Sequence, residues 1–358
     1  MTPVVAAACS YSPPGKDRRA KRIGVAVNIE VDRTTPSPQG EGEPTADISG
    51  QTPNIGPRPI VSDAMLSPSA SVGRHTGAAA FIRHLGYVLA ENPVTALAFA
   101  LFVLLALMAI AGPMLVPFDP YASETASALQ APSRTHWFGT DQLGRDLFSR
   151  VVVAARLDMA IAVSACGLAF GIGTLAGAAA GFFGGWTERI VSRIVDTIMA
   201  FPLFVLAMGI VAALGNTVFN IVIATAIINV PLYARVARTG ANVRREAGFV
   251  QAARMAGNSE MRIMLAQVLP NILPIMMVQV SLTMGYAILN AAGLSFIGLG
   301  VRPPTAEWGI LVAEGAAFIV SGEWWIALFP GLALVMAVFC FNLLGDGLRD
   351  LVDPQQRT

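Results

Sequence analysis

The chain has 358 residues, 54% hydrophobic and only 13% charged, with 24 Lys and Arg against 23 Asp and Glu and a mean hydropathy of +0.60. Soluble domains average about 25% charged residues, so the composition is that of an integral membrane protein. The net charge of +1 offers no bulk attraction to nucleic acid.

Residues 1–80 are rich in Pro, Gly, Ser, Thr and charge and lack a periodic apolar pattern. Such a segment buries too little surface to fold, and a disordered tail is expected. No apolar run follows the basic stretch Lys16–Arg22 as a signal peptide requires. That stretch reads as a solvated tail or, alternatively, as an interaction patch. Met65 is an alternative start that leaves a short tail. The only lysines are Lys16 and Lys21, and Gly15-Lys16 is flanked by Pro13-Pro14 and Asp17. A Walker A loop needs Gly-Lys-Ser/Thr opening a helix, so this chain has none. Cys166 and Cys340 fall in apolar runs as core filler, Cys9 is in the tail, and no disulfide framework exists. His75, His84 and His136 are scattered and make no metal cluster.

Six apolar segments come next, at roughly 94–116, 158–183, 195–215, 217–237, 266–293 and 322–345. Each is near the 20 residues that cross a bilayer. The expected fold is therefore an all-α membrane protein of six transmembrane helices. The second segment carries Gly171, Gly173, Gly177 and Gly181 among alanines, a face for close helix packing or for a ligand. Pro202, Pro231 and Pro330 should kink or start helices. No Asp, Glu, Lys, Arg or His is expected deep inside a span, as a proton or sodium relay would require.

Between the fourth and fifth segments lies a polar island, Arg244–Pro274. It reads as a short helix over 244–256, with Ala252, Ala253 and Ala256 on one side, ended by Gly257 in a left-handed conformation. Asn258 or Ser259 caps a second helix start beyond that glycine, and Pro270 and Pro274 sit near the entry of the next apolar run. Small side chains let another surface approach such a helix closely. Arg235, Arg238, Arg244, Arg245, Arg254 and Arg262 against Glu246 and Glu260 make the loop 234–264 net +4, whereas the loop 296–323 is net −2. The positive-inside rule places the first in the cytoplasm together with both termini. The loop 117–157 is then outside, with Arg134, Arg145, Arg150 and Arg156 balanced by Asp119, Glu124, Asp141 and Asp146.

Several motifs in order carry a family resemblance over about residues 85–355. Gln251-Ala252-Ala253, then Gly257, then Val268-Leu269-Pro270 resembles the Glu-Ala-Ala loop of ABC importer permeases. Gly139-Thr140-Asp141-Gln142-Leu143-Gly144-Arg145-Asp146 with Ser149-Arg150 is similar to the dipeptide/oligopeptide/nickel subfamily. So are Ala200-Phe201-Pro202, Leu294-Ser295-Phe296-Ile297-Gly298-Leu299-Gly300, Pro303-Pro304-Thr305 with Trp308-Gly309, and Asn342–Asp350 with Asp353-Pro354. Glu91-Asn92-Pro93 suits the C-type permease of such a system. The family usually has Glu where Gln251 stands, a small Ser at Asp158 and Glu at Asn290.

The resemblance implies a type I importer permease in a bacterial inner membrane, with a coupling loop at 238–265. It implies pairing with a second permease into a heterodimer, two ATP-binding subunits, and a periplasmic substrate-binding protein. The coupling element would be Arg245–Ser259, with Arg245, Glu246, Gln251, Ala252, Ala253, Gly257 and Ser259 at the ATPase. This chain would bind no cofactor, ATP belonging to the partner subunits, and would not be an enzyme. Gly139, Thr140, Asp141, Gly144, Arg145, Asp146, Ser295, Gly298, Pro303, Pro304 and Trp308 would lie outside. There they either shape turns, with Asp141, Arg145 and Asp146 pairing among themselves, or dock the binding protein. Peptides are the expected ligand, with nickel chelates, glutathione or opines as alternatives. A stand-alone secondary transporter or channel would need intramembrane ionisable or filter groups, and a membrane enzyme a nucleophile–base or metal constellation.

Overall fold

The computed structural model describes residues 93–352. The tail over 1–80, Met65, the domain start at 85, Glu91-Asn92, Asp353-Pro354 and the side chain of Asp350 lie outside the described residues. The described residues are helical apart from connections.

Helix α1 spans Pro93–Leu115. An irregular segment with one 3-10 turn at Thr125–Ser127 leads into α2, Leu147–Phe183. This 37-residue helix starts well ahead of the expected span at 158. Its first turns carry Arg150 and Asp158, which interrupt the apolar pattern; the fold buries both, at 0% and 1% exposure, and gives them partners. Asp158 thus stands at the edge of the expected span but well inside the helix.

The expected third span at 195–215 is two helices. The amphipathic α3, Gly185–Met199, and the apolar α4, Leu203–Leu214, meet at 87°. Pro202 caps α4, and a proline there cannot continue α3. Among the described residues, five helices are long and apolar enough to cross a membrane, or six if this bent pair forms one span.

Helix α5, Val218–Arg244, is capped by Thr217 and contains Pro231. Helix α6 is Gly248–Met255. Helix α7, Glu260–Ile263, passes through a π turn at Met264–Val268 into α8, Leu269–Phe296, with Pro270 in its first turn. The supposed loop 296–323 holds a further helix, α9, Trp308–Ala316. Helix α10 is Trp325–Val352, with Pro330 inside.

The most extensive packing joins α2 to α5. A Cβ at Gly173, Gly177 or Gly181 would run into the backbone of Val230, Ala234 or Arg238 respectively. The glycine face therefore serves helix packing, except at Gly171, which meets open space. Cys166 and Cys340 are buried in the cores. Ile110, Met114, Val163, Ile172, Val335 and Phe339 are exposed on the spans, as on a surface solvated by lipid.

Candidate functional site: a docked helix at one end and a braced segment at the other

Two regions carry the residues singled out in the sequence. Trp308 bonds Val151 near the start of α2, and Arg254 lies over Phe182 near its end. At 1.5 Å per residue these points are about 45 Å apart.

At the α6 end, α5 continues to Arg244, so the short helix begins at Gly248 rather than at Arg244. Arg245–Ala247 form the break. The Arg245 N–H donates to Ala241 O at 2.9 Å and the Ala247 N–H to Arg244 O at 3.0 Å. Gln251 Nε2 donates to Glu246 O at 3.1 Å, which ties the helix to that break. Gly257 has φ +81°. The Asn258 N–H donates to Ala253 O at 3.2 Å and the Gly257 N–H to Arg254 O at 3.0 Å. This pair of bonds is the Schellman end that favours glycine. The Ser259 hydroxyl then accepts from the Arg262 N–H, capping α7.

The helix has two faces. Val250 and Ala253 are buried in a core shared with Phe182, Ile263, Val268 and Ile272. Ala253 therefore packs inside this chain. Gly248, Phe249, Ala252, Met255 and Ala256 form the opposite, exposed stripe at helical spacing. Phe249 is 43% and Met255 85% exposed. A pattern of small residues alone misses both, although their spacing around Ala252 is visible in the sequence. Arg254 Nε and Nη2 donate to Glu260 Oε1 and Oε2 at 2.8 and 3.0 Å, a bidentate clasp between α6 and α7. Together with the buried face it holds α6 on the body of the chain.

At the α9 end, Asp141 is the hub. Its Oδ2 accepts from Arg145 Nε at 2.6 Å and Arg150 Nη1 at 2.7 Å. Its Oδ1 accepts from the Leu143 and Arg145 N–H groups at 2.9 and 3.0 Å. Both guanidiniums also reach Glu314 Oε2 at 3.4 Å. Burial pushes the Glu314 carboxyl up, Arg145 draws it down, and Asp141 adds a smaller upward push. Asp146 does not join this cluster. It caps α2 through the Ser149 N–H at 2.8 Å and hydroxyl at 2.7 Å and meets His136 Nδ1 at 2.9 Å. The Thr140 hydroxyl bridges Ser127 O and the Gln130 N–H.

Gly139 and Gly144 have φ +78° and +73°, and a Cβ at either would strike the backbone of Gln130 or Glu124. Gly298, φ +81°, ends α8 with the same two-bond pattern as Gly257, to Leu294 O and Ser295 O. Ser295 accepts from the Val301 N–H at 3.4 Å. Trp308 is fully buried, its Nε1 donating to Val151 O at 2.9 Å. Glu307 caps α9 through the Gly309 and Ile310 N–H groups at 3.0 and 2.9 Å. Burial pushes its carboxyl up, and contact with Asp158 and these N–H groups pulls it back. Thr140, Asp141, Gly144, Arg145, Asp146, Ser295 and Trp308 are thus buried in the fold of this chain. Pro303 and Pro304 are exposed. Arg150, Glu307 and Glu314 belong to this region and had not been singled out as site residues, since charge in an outer loop ordinarily reads as solvated.

Membrane-length helices, with a short helix clamped between two of them and bared on one side, define a multi-span membrane protein. Residues 173–358 match the family of binding-protein-dependent transport system inner membrane components. The chain is 43% identical over 271 residues to the probable D,D-dipeptide transport system permease protein of Escherichia coli, covering 76% of this chain and 91% of that protein. It is 42% identical over 252 residues to the dipeptide transport system permease protein of Alkalihalophilus pseudofirmus, covering 70% and 83%. It is 43% identical over 258 residues to the glutathione transport system permease protein of Shigella sonnei, covering 72% and 85%. The chain belongs to this family of ABC importer permeases. It is a multi-pass inner-membrane protein and not an enzyme. A system of this kind includes ATP-binding and substrate-binding partners. The readings as a stand-alone transporter or a membrane enzyme fall with that membership.

Proposed function

We propose that this chain couples ATP hydrolysis in partner subunits to the import of di- or oligopeptides. The observation that carries the reading is the two-faced α6, anchored by Val250 and Ala253 and bared at Phe249, Ala252 and Met255. The bared stripe enters a cleft on one ATPase subunit. Gln251, Arg245 and Glu246 lie at its edge, and Gly257 and Ser259 set the turn toward α8. Because the inner face is part of the core, motion of the ATPase is transmitted to α5 and α8 rather than absorbed by a loose loop. Gln251 contacts its own chain at Glu246, so docking rests on shape and apolar contact more than on charge at that position. Ala253 supports docking from beneath.

This chain pairs with a second, different permease, and two ATPase subunits serve the pair. ATP is bound by those subunits and no cofactor by this one. Both termini and α6 are cytoplasmic, and the braced segment faces the periplasm. There Pro303 and Pro304 lie where a binding protein can reach them, while the buried Asp141 cluster keeps the segment in shape. Support for a peptide ligand comes from the names of the relatives, whose dipeptides and glutathione are small amide-linked molecules with charged ends. Nickel chelates and opines are the competing ligands.

The test is reconstitution of the complex with its binding protein in proteoliposomes. ATP-dependent uptake of a labelled dipeptide, competed by unlabelled dipeptides, is expected. Met255→Cys should crosslink to an ATPase subunit bearing a cleft cysteine. Absence of that crosslink in an actively transporting complex overturns the docking assignment, and uptake of nickel chelates or opines alone overturns the peptide reading.

A further inference from the structure

Asp158 and Glu307 are two carboxyl groups from different elements, 1% and 0% exposed, brought to one place where Asp158 Oδ2 accepts from the N–H of Trp308, the residue that follows Glu307. Ionised carboxylates only accept hydrogen bonds, so two of them buried side by side can bond to each other only through a proton. The rest of the geometry says which group carries it. Both Glu307 oxygens already accept backbone N–H groups, from Gly309 and Ile310. Asp158 accepts at Oδ2 from the Trp308 N–H at 3.1 Å, whereas its Oδ1 is buried with no partner.

No cation among the described residues pairs with either group. Arg145 and Arg150 are engaged by Asp141 and Glu314, and Asp146 by His136 and Ser149. Arg302 reaches Asn216, and Arg156 is exposed on α2. From α8, the neighbouring group is the uncharged Ser295. Two buried like charges in contact without a counter-ion would be strongly unfavourable.

We propose that Asp158 is a proton-binding site, held as the carboxylic acid at neutral pH and donating its proton to the Glu307 carboxylate. The shared proton clasps α2 to the first turn of α9, beside the Trp308 bonds to Asp158 and Val151. A separated carboxyl group loses its proton near pH 4, so above that value the folded chain holds one more proton than the unfolded chain. Stability from the clasp is therefore fullest in acid and declines as pH rises, ending where the shared proton leaves.

The experiment compares the assembled complex with wild-type chain against Asp158→Asn, whose amide N–H can replace the acid as donor. The first reading is isotope-edited infrared difference spectroscopy at neutral pH. Wild type should show a carboxylic-acid C=O band that Asp158→Asn lacks and that disappears at alkaline pH. The second is the melting temperature across the same range, which should fall more steeply with rising pH in wild type than in the variant. If Asp158→Asn fails to assemble, Asp158→Ser keeps a hydroxyl donor and serves in the same comparison. A spectrum without the band in wild type, or one that keeps it in the variant, overturns the proposal. Parallel pH profiles of melting do the same.

Discussion

Gly257→Val is the sharpest perturbation of the coupling reading. Gly257 holds φ +81°, and a left-handed backbone costs a residue with a Cβ roughly 1–2 kcal/mol. A Cβ built at this position meets nothing within 4 Å, so no clash inside the chain adds to that cost. An energy of this size changes the population of the native turn by a factor of about 5–30. The turn lies outside the helical cores, so membrane abundance should stay near the wild-type level. Uptake, in contrast, should fall by up to that factor relative to ATP hydrolysis, because the stripe on α6 no longer sits squarely in its cleft. Gly257→Asn, which tolerates the left-handed region better, should recover much of the loss. The assay measures membrane-fraction abundance, ligand uptake and binding-protein-stimulated ATPase rate in the reconstituted complex. Normal uptake by Gly257→Val would refute the reasoning, and loss of the protein from the membrane would show that the turn serves folding.

Asp141→Ala leaves Arg145 and Arg150, 3% and 0% exposed, facing only Glu314; breaking a buried pair costs about 3–5 kcal/mol. A large drop in the melting temperature of the detergent-solubilised complex is expected, and an unchanged value contradicts the brace. Gly177→Ala forces a Cβ into the backbone of Ala234, while Gly171→Ala enters open space. Membrane abundance should fall for the first and not the second, and equal levels would remove the packing argument. With Cys9 replaced, Val320→Cys, 97% exposed, should react with an impermeant thiol reagent on intact cells. Met255→Cys, in cells without the ATPase subunits, should react only after the cells are opened, and the reverse pattern inverts the proposed topology.

Span existence was readable from apolar runs, because lipid imposes a length that composition reveals. Span boundaries were not. Arg150 and Asp158 broke the pattern at the start of α2, yet each meets a residue far away in sequence, Glu314 and Trp308 respectively. The right-angle bend between α3 and α4 was announced by Pro202, but its consequence, two helices rather than one span, depends on tertiary placement. Around α6 Gly257 and Ser259 were legible because a left-handed end and a hydroxyl cap are local chemistry. The direction in which Ala253 points was not, since the inward face of an eight-residue helix is decided by what it packs on. Helix α9 escaped notice because only 9 residues follow a proline-rich loop, and the buried Trp308 that anchors it reads equally well as a surface aromatic.

The run from Glu260 to Phe296 is helical throughout 37 residues, which makes it roughly 55 Å long. Its near end is fastened to α6 by the Arg254–Glu260 clasp, and its far end stops at Gly298, beside Ser295 and the cap of α9. A tilt of about 5° at the fastened end sweeps the far end through about 5 Å over such a length. The π turn at Met264–Val268 lies within the first three turns from the fastening, where a small change in winding is multiplied by nearly the whole length. On the proposed docking of α6, small angular strokes at that end would become displacements of molecular size at the other, with the gearing set by where that turn sits.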